Sequence, residues 1–335
     1  ALGQNYYAYV ASESADEVAL VRFNAENESA TMEETVRVGY IAPETEGAHG
    51  MTVAPDGEHW FVSIAHGKPY GRVAKYETST NTKVDTAHVG MFPATMEISD
   101  ATGLLHVVNF NLHGEPEPST VSVVDPEAMT EVDKIETGIM PHGSRFAPDG
   151  RTHYSVGMMD GTLYEIDAVT RRVTRSLKTG EGTPKPTWAD PHPSNPFVYV
   201  PHNGGDEVVE VHRERWEVTR RFETGEGTKP YNLEVSPDGS TLVVSYKGTG
   251  ETGIWNLETG EQEARLPNSR PVTHGVVISP DSRYAFVSAE GIGGEPGAVD
   301  VFDLRSNERV ASVDVGQQAG GIAFWKTEET ATSAR

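Results

Sequence analysis

One short phrase recurs along the chain at intervals of roughly 45 residues, the spacing expected of four-stranded propeller blades. Ala48-His49-Gly50 leads into Ala54-Pro55-Asp56-Gly57, and Pro141-His142-Gly143 leads into Ala147-Pro148-Asp149-Gly150. Thr273-His274-Gly275 leads into Ser279-Pro280-Asp281, while Pro230-Tyr231-Asn232 precedes Ser236-Pro237-Asp238-Gly239 with Tyr231 in the histidine slot. Aligned on this phrase, the chain offers seven slots: His49, Ala94, His142, Lys185, Tyr231, His274 and Gly320.

Each unit reads alike. An apolar first strand such as Val276-Val277-Ile278-Ser279 is followed by a Pro-Asp-Gly turn, where Pro supplies a φ near −65° and Gly accepts a positive φ. A second strand rich in β-branched and aromatic residues follows, as in Phe197-Val198-Tyr199-Val200. The third strand alternates, as in Leu163-Tyr164-Glu165-Ile166-Asp167, and a fourth ends in most units on Gly. The chain opens on a second strand, Tyr6-Tyr7-Ala8-Tyr9-Val10, and ends on a lone first strand, Gly321-Ile322-Ala323-Phe324-Trp325. Joined, these close the ring and remove exposed sheet edges. The expectation is an all-β, seven-bladed β-propeller of four-stranded antiparallel blades over residues 1–325, with a solvated C-terminal tail over 326–335.

The Pro-Asp-Gly turns, strands such as Phe61-Val62-Ser63 and Val198-Tyr199-Val200, and the Val-Gly strand ends before each Pro resemble the YVTN-type β-propeller repeat family. The resemblance spans nearly the whole chain and implies the fold. It implies a range of functions, because similar propellers serve as lactonases, as domains of nitrite and nitrous oxide reductases, as periplasmic metal chaperones and as binding platforms.

Composition narrows the partners. Asp and Glu number 50 against 27 Lys and Arg, and the formal charge of −23 opposes binding to nucleic acid or to an anionic membrane. No apolar run reaches the roughly 18 residues of a membrane span. The absence of cysteine excludes thiolate catalysis, disulfides and sulfur-ligated metals. The start at Ala1 is what removal of a secretory signal after a small residue would leave, so an exported protein, periplasmic or extracellular, is expected.

In a propeller the first strands line the central channel, and the loops after the second strands meet at one of its mouths. The repeat therefore brings His49, His142 and His274 around one axis. The loops add Glu13, His66, Asn111 with His113, Met158, His202, Lys247 and Glu290. Six of the twelve histidines fall in these two rings, a concentration that points to a nitrogen-rich transition-metal site for zinc or copper. His49, His142 and His274 form its expected core, with His66, His113, His202 or Glu290 able to complete it. The bland alternative is that a His-Gly pair hydrogen-bonds a neighbouring blade. His59, His106 and His153 form another column, at the start of second strands, where packing is expected.

Three functions follow. The first is a metal-binding propeller acting as a chaperone or a metal-dependent oxidoreductase. The second is a metal-free lactonase-like or lyase-like enzyme for a small anionic substrate, with Glu290, His202 and Lys247 as acid–base candidates and Lys185 and Tyr231 helping to attract the anion. The third is a binding scaffold with a protein partner on its loop face. Gly248-Thr249-Gly250-Glu251-Thr252-Gly253 matches a dinucleotide fingerprint, but it runs into the strand Ile254-Trp255-Asn256, not a helix, so it reads as a hairpin.

Overall fold

A computed structural model describes residues 3–41 and 43–329. It contains seven four-stranded antiparallel sheets arranged as propeller blades. Blade 1 is the closing blade. Its innermost strand, Ala319–Glu329, pairs antiparallel with Gln4–Ser12, which continues through Glu17–Asn24 to Ser29–Arg37. Blades 2 to 7 then follow in chain order, beginning at Ala48, Pro93, Pro141, Asp190, Pro230 and Val272.

The closing strand runs further than its apolar stretch suggested. Lys326, Thr327, Glu328 and Glu329 pair with Tyr7, Tyr6, Asn5 and Gln4, so the expected tail is strand up to Glu329, and residues 330–335 lie outside the described residues. Aromatic packing anchors the seam. Trp325 lies 5.5 Å from Tyr9 and 6.0 Å from Tyr7, and its Nε1 donates to the Gly57 carbonyl at 3.0 Å. The core is distributed between blades: Tyr6, Phe23, Tyr284 and Phe286 join blades 1 and 7, and Tyr9, Trp60 and Tyr76 join blades 1 and 2.

Strand register corrects one slot. Ala48, Pro93, Pro141, Pro230 and Thr273 pair with Ile64, Asn109, Gly157, Tyr246 and Ala289, and in each case the next residue is the slot. In blade 5 the equivalent bridge is Pro186 to His202. Thr187, not Lys185, therefore completes the ring of His49, Ala94, His142, Tyr231, His274 and Gly320. Pro184 and Pro186 lack backbone N–H groups, and the regular ladder of this first strand shrinks to Asp190–Pro191. The spacing was consequently misleading here.

Hydroxyls tie the slots of neighbouring blades together. Ser63, Thr95, Thr187, Ser245 and Ser288 donate to the carbonyls of Ala94, His142, Tyr231, His274 and Gly320. Among the described residues blades 1 and 4 have no such hydroxyl bond, and in blade 4 the His142 Nδ1 faces the Thr187 carbonyl at 3.3 Å. One slot histidine is thus a structural link between blades, as the bland reading proposed.

Candidate functional site

The residues that follow the slots are Gly50, Thr95, Gly143, Trp188, Asn232, Gly275 and Gly321. At the four glycines a Cβ would meet the slot carbonyl of the next blade, so they allow close approach of the blades, and Trp188 is 5% exposed with the Arg145 guanidinium 4.7 Å from its ring. Above Trp188 lies a cavity of about 20 Å³, enough for about one water. His49, His142, His274 and Asn232 also line it. Trp188 Nε1, Asn232 Oδ1 and His274 Nδ1 are buried without a hydrogen-bond partner.

The upper mouth holds the residues that the repeat singled out. The ring centroids of His49 and His142 are 5.7 Å apart, those of His49 and His274 5.7 Å, and those of His142 and His274 6.4 Å. Glu13, in the short 3-10 turn Glu13–Ala15, lies between two imidazoles, with Oε2 2.6 Å from His49 Nδ1 and Oε1 2.8 Å from His66 Nε2. Burial disfavours its charge, but His49 and His66 outweigh burial and hold the carboxyl far below the usual range. The hydrogen bond that His66 donates to Glu13 in turn raises the pKa of His66. Replacing Glu13 by Gln is therefore expected to lower the His66 pKa, measurable from its ring resonances in an NMR pH titration; an unchanged value would show that the carboxylate is not its partner.

Across the axis, the Tyr231 hydroxyl meets His142 Nε2 at 2.9 Å. With Nδ1–H donating to Thr187, His142 is a neutral imidazole accepting from the phenol, and burial, with the charges of His49 and Lys247, pushes its pKa down to about 3. Burial likewise holds His274 well below its usual value. Lys247 pairs with Glu290 at 3.3 Å, and its Nζ stands 4.3 Å from the Tyr231 ring centroid. Burial opposes the ammonium charge, but Tyr231 and Glu290 prevail and raise its pKa. His274 Nε2 is 4.0 Å from the same Glu290 oxygen.

The outer histidines divide. His66 is half-buried against Phe92, and exposed His113 lies edge-on to both, 5.4 Å from His66 and 5.3 Å from Phe92. His202 ends the second strand of blade 5 and is 1% exposed; its Nδ1 is 2.9 Å from Glu207 and its Nε2 3.0 Å from Thr179. Both of its nitrogens are engaged away from the axis, so the structure does not bring it to Lys247 and Glu290. His106 and His153 pack as expected, buried with ring centroids 5.0 Å apart. His59 stands apart from them, grouped with Asp56 and Glu58.

A single ion held at about 2.1 Å by three nitrogens keeps any two of them within about 4.2 Å. Among the described residues, only Asp56, Glu58 and His59 place three ligand atoms within 4.8 Å of one another. His49, His142 and His274 surround the axis but do not present nitrogens at ligating separation. Tyr231 and Glu13 already occupy the nearest nitrogens of His142 and His66. The donors of this arrangement do not fit a common ion without rotation of the rings.

The opposite mouth was not singled out in the sequence. Three residues after the slots stand Glu97, Arg145, Asp190 and Glu234, around a cup of about 340 Å³. Each carboxylate accepts a backbone N–H from a neighbouring blade: Phe146 to Glu97 at 2.6 Å, Val235 to Asp190 at 2.8 Å and Ile278 to Glu234 at 3.0 Å. Burial pushes Asp190 up to about 7 and, with Asp190 adding to it, Glu234 up to about 8. The signal available was an acidic column three residues after the slot, which strand alternation disguised as ordinary outward-facing polarity.

The fold and the upper mouth together define a seven-bladed β-propeller with buried titratable side chains around its axis. No protein-family model matches the chain, and no curated protein matches it in sequence. Among solved structures it is similar to hydrazine synthase of Kuenenia stuttgartiensis, with 16% identity and a TM-score of 0.68 over 92% of this chain and 94% of that one. It is also similar to a 6-phosphogluconolactonase-like protein from Bacteroides uniformis, with 14% identity and a TM-score of 0.76 over 95% of this chain and 99% of that one. At such identities the likeness shows the fold alone.

Proposed function

We propose that the upper mouth is a metal-free acid–base site that hydrolyses the acyl–oxygen bond of a small ester bearing an anionic group, such as an acidic lactone. The observation carrying this reading is the 2.6 Å contact between Glu13 and His49 Nδ1. It orients the ring and leaves Nε2, which makes no hydrogen bond with a described residue, as the available base. A base held by a third group is the recurring arrangement for activating a nucleophile. In hydrolysis, His49 Nε2 takes a proton from water and the hydroxide adds to the carbonyl carbon. Lys247 supplies positive charge for the oxygen that turns negative. Collapse breaks the bond to the leaving oxygen, which receives the proton back from His49. The lactonase-like neighbour makes a lactone a reasonable first substrate.

A second reading retains the ion. The Nδ1 atoms of His49 and His142 face a carboxylate and a carbonyl, the outer-shell pattern of histidines that ligate through Nε2. One experiment separates the two. Turnover of a panel of small lactones is measured after exhaustive chelation, with wild type and His49→Asn. Chelator-resistant turnover that falls about 10²–10⁴-fold in His49→Asn is expected. Turnover abolished by chelation and restored by zinc or copper would transfer the site to the metal reading. No turnover by either protein would leave the mouth as a binding platform and overturn the catalytic proposal.

A further inference from the structure

The rim of the upper mouth is divided into two chemically different arcs. Two residues before the slot, six of the seven blades adopt left-handed backbone, at Gly47, Phe92, Met140, Lys185, Lys229 and Gln318. Recurrence around the ring marks this conformation as the turn into the first strand, so the side chain there is free to vary. Blades 3 and 4 carry Phe92 and Met140 at this place, and blades 5 and 6 carry Lys185 and Lys229.

The first arc is apolar. Phe92 packs with Phe110, and half-buried Met140 and Met158 pack against them. This wall reaches the axis, with Phe92 5.2 Å from the His49 ring and Phe110 4.9 Å from the His142 ring.

The second arc is basic. Asn203 draws the two lysine backbones together, its N–H donating to the Lys185 carbonyl at 3.1 Å and its side-chain amide to the Lys229 carbonyl at 3.2 Å. The Lys229 stem runs beside Gly248, where an added Cβ would lie 3.1 Å from its Cγ, and so passes next to the residue that follows Lys247. Neither Lys185 nor Lys229 forms an ion pair with a described residue, although Glu181 and Glu226 stand in the same loops. In a chain of charge −23, three of nine lysines stand on neighbouring segments at one edge of one mouth, Lys247 of them paired with Glu290. His142 and Tyr231, 5.2 Å apart, form the floor between the two arcs, with Lys247 above Tyr231.

We infer that this mouth binds an organic anion with an aromatic or similarly apolar body. The body lies on half-buried Met140 and Met158, which buried Phe92 and Phe110 support from beneath, and the anionic group is received by Lys185, Lys229 and Lys247. Apolar burial and charge attraction then act at opposite ends of one ligand, which selects against species lacking either end. The inference rests on the upper mouth being the functional end, but not on any step of the chemistry proposed there.

Calorimetric titration with phenylacetate, phenyl phosphate, acetate and benzyl alcohol tests it, on wild type and on Lys185→Gln/Lys229→Gln. The better aryl anion is expected to bind at least tenfold more tightly than both acetate and benzyl alcohol. The double variant is expected to lose about tenfold for the aryl anion and to leave benzyl alcohol unchanged. The stronger of phenylacetate and phenyl phosphate identifies a carboxylate or a phosphoryl headgroup. Equal binding of benzyl alcohol, equal binding of acetate, or an unaffected double variant would each overturn the inference. Binding that survives in His49→Asn keeps the two proposals separable, since turnover can fail while recognition holds.

Discussion

Gly50→Ala is expected to destabilise the propeller by about 3 kcal/mol, a strained over-packing with no flexible neighbour to absorb it. A Cβ on Gly50 would lie 1.6 Å from the Ala94 carbonyl oxygen and 2.7 Å from its carbon, so backbone, not a side-chain tip, stands in the way. That carbonyl also accepts the Ser63 hydroxyl, which in turn accepts the Gly50 N–H at 2.7 Å. A shift large enough to admit the methyl therefore loosens the junction between blades 2 and 3. The melting temperature should fall by on the order of 5 °C or more. Gly103→Ala is the control. Its φ is +70 with nothing within 4 Å, so only the backbone penalty of about 1 kcal/mol applies. Equal losses in the two variants would show that close approach of the blades is not what requires Gly50.

The second large effect concerns acid. His106 and His153 are fully buried between blades 3 and 4, their Nδ1 atoms 3.4 Å apart, and each Nε2 has no partner. Burial pushes His106 down to about 4 and holds His153 well below the usual value. Between pH 6.5 and about 4 the unfolded chain binds protons that these folded imidazoles refuse, so stability falls as pH falls through that window. For His106 alone the loss amounts to about 3 kcal/mol, at roughly 1.4 kcal/mol per pH unit. Asp190 and Glu234 act in the opposite direction, because their raised pKa values make the folded state the better proton acceptor up to about 7 and 8. Comparison of variants removes that background. His106→Leu/His153→Leu deletes both partners of one contact against the apolar Phe146 ring, 4.3 Å from His153, and is expected to leave stability at pH 7 within about 1 kcal/mol. Urea titrations at pH 7 and pH 4.5 should show the variant losing at least 2 kcal/mol less than wild type on acidification. Parallel losses would mean that the pair is protonated in the folded protein.

Much of the candidate site was legible, and its failures have identifiable causes. The repeat placed His49, His142 and His274 around one axis because each follows a residue of identical ladder register. It failed in blade 5, where two prolines near the slot remove ladder donors and moved the slot from Lys185 to Thr187. His202 counted as a loop residue when only spacing was available, but pairing with Pro186 makes it the end of a strand, directed to Thr179 and Glu207. Glu13 stood in the loop ring without a role. Its contacts to His49 and His66 join residues 36 and 53 positions away, and no local spacing encodes them. The Ser63, Ser245 and Ser288 hydroxyls recur visibly in the second strands, yet their partners lie on the next blade.

By itself the sequence determined the architecture. Repeated turns, alternating strands and incomplete units at the two ends admit one ring of seven blades, since local backbone preference and the need to eliminate sheet edges act on every repeat alike. It also determined which histidines would meet, because a slot in a repeat is a position on a circle. Only the tertiary structure decided what each imidazole nitrogen faces: Glu13 for His49, Thr187 and Tyr231 for His142, and no hydrogen-bond partner for His274 Nδ1. Those choices depend on side-chain direction over a few ångströms between blades distant in sequence.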